Sequence, residues 1–209
     1  MCQICKFQLA IPKKRIAEKP MKTEPADRHD TILAAALEVF LRYGFAKTSM
    51  KDLAQAAGLS RQGLYLHFGS KESIFDAMVA ENLRNAGDAV RQALRRADCS
   101  VEDRLTEAFE VAHAAGIGST SLDELIEESR KRCPVAVGAF DTALLTEVAE
   151  ALSVARVADR WKAEKLSAAE LAQHLVHASV GIKHEAASRD GYRAGIRLAV
   201  QIICRSPHG

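Results

Sequence analysis

The feature that most constrains this chain is a glycine turn between two short amphipathic stretches, in the segment from Leu53 to Lys71. Gly58 stands where the first stretch must stop and the chain must reverse, and positive φ angles are easy there only for glycine. Ser60 follows with a hydroxyl suited to cap a new helix. Apolar residues recur at helical spacing on both sides of the turn, which predicts two helices sharing one core. They are Leu53, Ala54, Ala57, Leu64 and Phe68.

Two structures are compatible with this pattern. One is a plain αα-hairpin, which is common in helical proteins. The other is a helix-turn-helix, whose second helix enters the DNA major groove and brings its first residues to the base edges. In this chain those residues are Arg61, Gln62 and Gly63. The spacing alone leaves both structures open.

The composition favours a fold made of helices only. The chain has 209 residues, of which 48% are hydrophobic but only 5% aromatic, and alanine recurs at helical spacing. No segment shows sustained period-2 alternation, so we expect an all-α fold of about nine helices. No apolar run approaches the ~20 residues that a membrane span requires, and we therefore expect no membrane partner.

Cap residues and breakers predict where each helix lies. The first helix begins at Asp27 or Asp30 and ends at Gly44, and Ser49 with Asp52 forms a capping box for the second. Further spans are predicted at 60–68, 71–97, 101–115, 121–133, 134–161, 167–188 and 191–205. Within them, Ser121 with Glu124 should cap the sixth helix, and Pro134 should start the seventh.

Residues 28–78 as a whole resemble the TetR family of bacterial transcriptional regulators, over about a quarter of the chain. The matching elements are Tyr-Gly-Phe at 43–45, Thr-Ser-Met at 48–50, Asp-Leu-Ala at 52–54, Ala-Gly-Leu-Ser at 57–60, Leu-Tyr at 64–65, His-Phe at 67–68 and Ser-Lys-Glu at 70–72. The resemblance implies a helix-turn-helix DNA-binding domain at 26–72, followed by a helical regulatory and dimerisation domain at 73–209.

The resemblance also implies DNA contacts that side-chain chemistry supports. Arg61 suits guanine O6 and N7, and Gln62 suits adenine N6 and N7. The family often has a glycine and then a small hydroxylated residue where this chain has Gln62 and Gly63, so specificity is expected to differ here. The other predicted DNA-binding residues, which include candidate phosphate contacts, are Thr48, Ser60, Gly63, Tyr65, His67 and Lys71.

The first 25 residues are expected to be a flexible basic arm. Residues 1–26 carry a net charge of +4, against +2 for the whole chain, which favours contact with a polyanion. The alternatives are a solubilising tail or translation from an upstream start, with Met21 as the native initiator.

Cysteine and histidine positions give no metal or cofactor prediction. An odd number of scattered cysteines is typical of reduced thiols in the cytoplasm. Cys2 and Cys5 have zinc-like spacing but lack a second ligand pair. His174, His177 and His184 share one predicted helix without a further ligand, so surface or interface positions are favoured. The five cysteines are Cys2, Cys5, Cys99, Cys133 and Cys204.

For the second domain, the resemblance implies a small-molecule effector and a twofold homodimer. Candidate effector contacts are Phe109, His113, Phe140 and Trp161, each of which could instead belong to an ordinary core. Two apolar stripes on the last helices are candidates for the dimer interface, and the alternative is that both pack inside the monomer. The stripe residues are Leu171, Leu175, Ala178, Ile182, Tyr192, Ile196 and Ile203.

Together these features predict a ligand-responsive, cytoplasmic DNA-binding regulator, expected to act as a repressor on a short inverted-repeat operator. The alternatives are an activator or a regulator without a ligand on the same fold, and a helical enzyme or scaffold. No phosphate loop, HExxH or GxSxG motif is present, so no enzymatic activity is predicted.

Overall fold

The computed structural model describes residues 25–205, and this part of the chain is helical, as the composition predicts. The chain divides into two units, the first ending at Met78 and the second beginning at Val79. The helices are α1 (Pro25–Lys47), α2 (Met50–Ala56), α3 (Arg61–Tyr65), α4 (Lys71–Leu94), α5 (Val101–His113), α6 (Thr120–Arg132), α7 (Pro134–Val154), a 3-10 helix (Ala158–Trp161), α8 (Ala168–Glu185) and α9 (Arg189–Arg205).

None of these helices is long and apolar enough to cross a membrane. The predicted basic arm lies outside the described residues, and so do Cys2, Cys5 and the alternative start at Met21.

Three aromatic rings form the centre of the first unit. The ring centroid of Phe75 on α4 lies 5.2 Å from that of Phe40 and 4.9 Å from that of Phe45, with the rings edge to face. Such pairs stabilise beyond the area they bury. They join the start of α4 to the last turn of α1, and the buried side chains of α2 and α3 complete the core. These are Met50, Leu53, Ala54 and Leu64.

Helix α1 ends where the sequence predicts and begins earlier. Gly44 has φ 75° and ψ 162°, a left-handed break inside the span from Pro25 to Lys47. The predicted start at Asp27 or Asp30 is wrong, because Pro25 already occupies the first helical position, where its missing N–H costs nothing.

The caps of α2 and the turn after it confirm the sequence prediction. Ser49 and Asp52 form a reciprocal capping box, and their hydrogen bonds lower the pKa of the Asp52 carboxyl. Gly58 has φ 66°, so the turn requires the left-handed conformation. Ser60 caps α3 through a hydrogen bond that its hydroxyl accepts from the Gly63 N–H.

The second unit is a cluster of helices around one apolar core. Helices α5, α7, α8 and α9 contribute its fully buried side chains, and α6 packs on α7. The largest of these side chains are Leu105, Phe109, Leu152, Leu175 and Tyr192.

Several boundaries in the second unit differ from the prediction, most of them by one to three residues, and two of the differences have a clear local cause. Helix α6 is capped by Ser119, not by Ser121 with Glu124, because the chain leaves the left-handed Gly118 directly into the helix. Helix α7 ends at Val154, not near Trp161, because Arg156 adopts φ 58° and interrupts it. The residues that follow form only a short 3-10 helix.

Both predicted dimer stripes face the core of their own chain. Leu171, Leu175, Tyr192, Ile196 and Ile203 are buried among α5, α7, α8 and α9 of the same chain. They thus pack inside the monomer, the alternative that the sequence left open, and their part in a dimer interface stays a prediction. A stripe of apolar residues shows that a helix buries a face, but not against which chain. The two remaining stripe residues, Ala178 and Ile182, are partly buried.

Candidate nucleic-acid interface

Helix α3 presents one face to the core of the first unit and the other to solvent. Leu64 is fully buried, whereas Arg61, Gln62 and Tyr65 are exposed. The helix is shorter than predicted, since it ends at Tyr65 and not near Phe68. Its short length puts every exposed residue within a turn of its N-terminus, the part of a reading helix that meets base edges.

Arg61 and Tyr65 lie one turn apart and contact each other. The Arg61 guanidinium stands 5.7 Å from the centroid of the Tyr65 ring, and its Nη2 donates a hydrogen bond of 3.4 Å to the phenolic oxygen. The tyrosine thus restricts the rotamers of a long side chain. Since a guanidinium has five donors, most of them stay available for a base or a phosphate.

Gly63 leaves room for the cap of α3. A Cβ atom at this position would lie 3.2 Å from Ser60 Oγ, tighter than nine in ten real Cβ contacts, so the capping hydroxyl would have to shift by a few tenths of an ångström. The same oxygen accepts the hydrogen bond from the Gly63 N–H at 3.0 Å. The structure therefore gives Ser60 and Gly63 roles in forming the helix start, and the departure from the family pattern at 63 has a local explanation.

Thr48 does not present its hydroxyl to solvent. The side chain is buried, and Oγ1 donates a hydrogen bond of 2.8 Å to the carbonyl oxygen of Gly44. This bond closes the turn between α1 and α2. The Thr48 hydroxyl is thus engaged within the protein and its predicted phosphate contact stays a prediction, while the exposed cap of α2 beside it is Ser49.

Lys71 is a tie between two elements as well as a positive charge. Its Nζ donates to the carbonyl oxygen of Phe45 at 2.9 Å and lies 4.3 Å from the centroid of the Phe45 ring. An ammonium group has three donors, so a phosphate contact remains geometrically open. The sequence reasoning did not foresee the tie, because it joins residues 26 positions apart.

The chain after α3 brings further exposed groups to this surface. His67 is exposed, and Leu66 is the most exposed large apolar residue in the described part of the chain. Phe68 turns inward again, with its ring centroid 4.7 Å from that of His29 on α1. Leu66 was missed by the sequence reasoning, which considered only polar side chains as DNA contacts.

The family model of the tetR family of bacterial regulatory proteins matches residues 32–78, which contain this whole arrangement. The chain carries a TetR-family helix-turn-helix domain.

Curated relatives extend the likeness only partway. The transcriptional regulator YfiR of Bacillus subtilis is 35% identical over 115 residues, which are 55% of this chain and 49% of that protein. Two regulators of Mycolicibacterium smegmatis match shorter spans. The activator FasR is 39% identical over 33% of this chain and 32% of its own length, and the repressor KstR2 is 32% identical over 42% of each. The chain thus spans about half or less of the curated relatives it matches.

A solved structure shares the fold over a larger span. A chain from Mesorhizobium loti, described as a TetR-family transcriptional regulator, has a TM-score of 0.66 and covers 87% of this chain and 97% of its own. The identity is 21%, so this likeness shows the fold of both units and nothing of the ligand.

Two of the four predicted effector contacts lie together in the second unit. The rings of Phe109 and His113 are 6.2 Å apart, one turn from each other on α5. His113 Nδ1 lies 2.6 Å from Ser179 Oγ, which lies 2.5 Å from the phenolic oxygen of Tyr192. Tyr192 in turn donates to the Phe109 carbonyl at 3.1 Å. Ser179 was not predicted, because a lone serine in an apolar helix carries no motif.

The direction of this hydrogen-bond chain follows from its last member. A carbonyl oxygen only accepts, so the Tyr192 hydroxyl donates to Phe109, Ser179 donates to Tyr192, and His113 Nδ1–H donates to Ser179. Burial, assisted by the charges of Lys183 and Arg130, lowers the pKa of His113 to about 4. The imidazole is therefore neutral at pH 7 and carries its proton on Nδ1.

The other two effector candidates lie elsewhere in the second unit. Phe140 borders a small depression of about 10 Å³, room for roughly one water molecule. Trp161 donates its indole N–H to the carbonyl oxygen of Ile203 at 2.8 Å, which ties the 3-10 helix to α9. Within residues 25–205, no group of three His, Cys, Asp or Glu side chains could hold a metal ion.

Proposed function

We propose that this protein is a transcriptional regulator that binds operator DNA as a homodimer and is released by a small-molecule effector. The observation that carries the proposal is the presentation of Arg61 and Gln62. Both are exposed at the start of α3, while Leu64 of the same helix is anchored in the core. The proposed site of action is the bacterial cytoplasm, where such DNA lies.

Competition between duplexes tests the DNA-binding proposal. Full-length protein is titrated into a labelled duplex enriched from a random pool and then into a scrambled duplex, at physiological salt. Specific binding is typically at least 10³-fold tighter than non-specific binding. Equal affinity for the two duplexes would contradict the proposal. Replacing Arg61 by Ala should remove most of the preference, whereas Arg84→Ala, which removes a charge from the second unit, should not.

The outer faces of α8 and α9 are the proposed dimer surface. Val180, Leu198 and Ile202 are exposed large apolar side chains on two helices that pack side by side. Apolar residues that remain uncovered on adjacent helices are typical of an interface. A second copy of this chain is the proposed occupant, because a twofold dimer would read both halves of an inverted repeat, ~34–36 Å apart.

Charge insertion on these helices tests the dimer. Leu198→Glu with Ile202→Glu should convert the protein to a monomer in sedimentation velocity and weaken operator binding by more than tenfold. Val135→Glu with Val154→Glu places the same two charges at exposed positions of α7 and should leave the mass unchanged. A monomeric wild-type protein that still binds the full inverted repeat tightly would contradict the proposal.

An effector is proposed for the second unit, near the Phe109 and His113 rings. The support is one buried polar chain within an otherwise apolar core, a common setting for ligand orientation. Binding of effector and operator must be coupled reciprocally, so each lowers the affinity for the other by the same factor. A compound screen for release of labelled operator, followed by calorimetry with and without DNA, checks that equality.

Activation is the second candidate. One relative is named a repressor and another an activator, so the domain alone does not set the sign of regulation. A reporter fused to the selected operator in its native promoter, measured with and without the regulator, distinguishes the two. Repression predicts higher expression when the regulator is deleted, and activation predicts lower expression.

A further inference from the structure

Leu66 is an apolar side chain in an unusual place. It is 87% exposed, directly after the last residue of α3. A single exposed leucine is common on protein surfaces and by itself indicates no function. Here, however, it is surrounded by the side chains proposed to contact DNA, with Tyr65 and His67 exposed on either side of it.

The backbone fixes which face of the reading helix Leu66 shares. Its N–H donates to the carbonyl oxygen of Gln62 at 3.2 Å, so the helical path continues through residue 66. Its φ and ψ angles of −69° and −22° are also helical. Residues four apart lie on the same side of a helix, and Leu66 therefore extends the row begun by Gln62. Arg61 and Tyr65 form the neighbouring row, as their contact shows.

The distance along the row corresponds to about two base-pair steps. Four residues rise about 6 Å along a helix, whereas base pairs follow one another every ~3.4 Å. If Gln62 meets one base edge, Leu66 reaches a base within about two pairs of it.

Only one feature of the major groove offers a leucine an apolar partner on a base. Leucine can neither donate to a phosphate nor accept from an exocyclic amine. The C5-methyl group of thymine is the apolar mark among the four base edges, and apolar side chains read it by contact. We propose that Leu66 contacts a thymine methyl group and specifies an A·T pair within about two base pairs of the one read by Gln62. The proposal rests on the proposed DNA-binding function and adds a reader to it.

The test removes the methyl group from the DNA and the side chain from the protein. A duplex enriched from a random pool is resynthesised with each thymine replaced in turn by deoxyuridine, symmetrically in both half-sites. Affinity is measured by fluorescence anisotropy for the wild type, Leu66→Ala and Val154→Ala. The last variant truncates another exposed apolar residue, in the second unit. Since Leu66 is exposed, its variant should fold normally, and circular dichroism checks this.

One thymine per half-site should prove sensitive. Deoxyuridine there should weaken wild-type binding about fourfold per half-site, the effect of losing one buried methyl-sized group, or ~15-fold for both. Leu66→Ala should bind the two duplexes equally, and Val154→Ala should behave as the wild type does.

The inference is overturned if replacing every thymine in turn leaves the affinity of the wild type unchanged. It is also overturned if Leu66→Ala keeps the full difference between thymine and deoxyuridine. If Leu66→Ala keeps that difference but binds both duplexes more weakly, Leu66 packs on a sugar, which both duplexes share. If the pool yields no enriched duplex at all, the proposed function itself fails and this reader with it.

Discussion

The ammonium group of Lys71 donates a hydrogen bond to the carbonyl oxygen of Phe45, 2.9 Å away, and lies over the ring of the same residue. This contact joins the first residue of α4 to the turn that follows the break in α1. A charge that the sequence suggests for DNA therefore also holds the first unit together.

Replacing Lys71 by Met should destabilise the protein in the absence of DNA. The variant keeps the length of the side chain but loses a charge-assisted hydrogen bond and a cation–π contact, which together contribute about 1–3 kcal/mol. Urea denaturation measures the loss, and Lys51→Met, at an exposed lysine of α2, is the control. If Lys71→Met unfolds like the wild type and only flattens the salt dependence of DNA binding, the tie is not formed in solution.

Replacing Tyr65 by Phe should weaken DNA binding through Arg61. The change deletes the phenolic oxygen 3.4 Å from the guanidinium but keeps the ring beneath it. We expect Tyr65→Phe to lower the affinity for the operator less than about tenfold. Arg61→Ala should cost more, within ~1–3 kcal/mol of binding free energy. A double-mutant cycle measured by anisotropy decides whether the two residues act together. Additive losses would mean that the hydroxyl contacts DNA on its own account.

The free energy of unfolding should fall as the pH is lowered from 7 towards 4, because His113 is protonated less readily in the folded protein than in the unfolded chain. Its pKa is lowered to about 4 in the folded protein, below the ordinary value of 6.5, so the unfolded chain binds more protons between these values. Protonation of His113 in the unfolded chain therefore lowers the free energy of unfolding as the pH falls. Between pH 7 and pH 5 the wild type should lose about 2 kcal/mol of unfolding free energy on account of this group.

His113→Asn supplies the comparison for that measurement. Asparagine retains a donor near the position of Nδ1 but does not titrate, so its unfolding free energy should lack this part of the pH dependence. Glu110, whose pKa is raised by burial, contributes with opposite sign and is present in both proteins. Parallel curves for wild type and variant would show that His113 is solvated in the folded state.

Gly195 should tolerate alanine poorly because α8 and α9 approach closely there. A Cβ atom would lie 2.8 Å from Cγ2 of Ile182, a β-branched side chain whose χ1 rotamer is strongly restricted in a helix. We expect Gly195→Ala to destabilise by about 1–3 kcal/mol. Gly138→Ala, in α7 with no neighbouring atom within 4 Å, should instead stabilise by ~0.5–1 kcal/mol. Equal effects in thermal denaturation would show that the two helices separate easily.

Local chemistry explains what could be predicted from the sequence. The capping box of Ser49 and Asp52, the left-handed Gly58 and the cap at Ser60 each depend on residues within a few positions of one another. These short-range features, together with the helical spacing of apolar residues, are enough to predict the all-α fold and to place the reading helix.

Contacts between distant residues explain what could not be predicted. The hydroxyl of Thr48 turns to Gly44, Lys71 reaches Phe45, and Tyr192 is buried beside Ser179, and no local pattern reveals these partners. The burial of the two apolar stripes within their own chain could not be predicted for the same reason, since amphipathicity does not distinguish a partner within the chain from one outside it. The exposure of Leu66 could not be predicted either, because helical spacing does not distinguish an exposed leucine from a buried one.

Selection from a pool of random duplexes tests the central claim most directly. The full-length protein is incubated with the pool at physiological salt, and bound duplexes are recovered, amplified and sequenced over several rounds. The account predicts an inverted repeat whose half-sites are centred about one helical turn apart, and predicts that Arg61→Ala loses the preference at one position of each half-site. Recovery of unrelated sequences, or of the same repeat with unchanged preferences by Arg61→Ala, would contradict it.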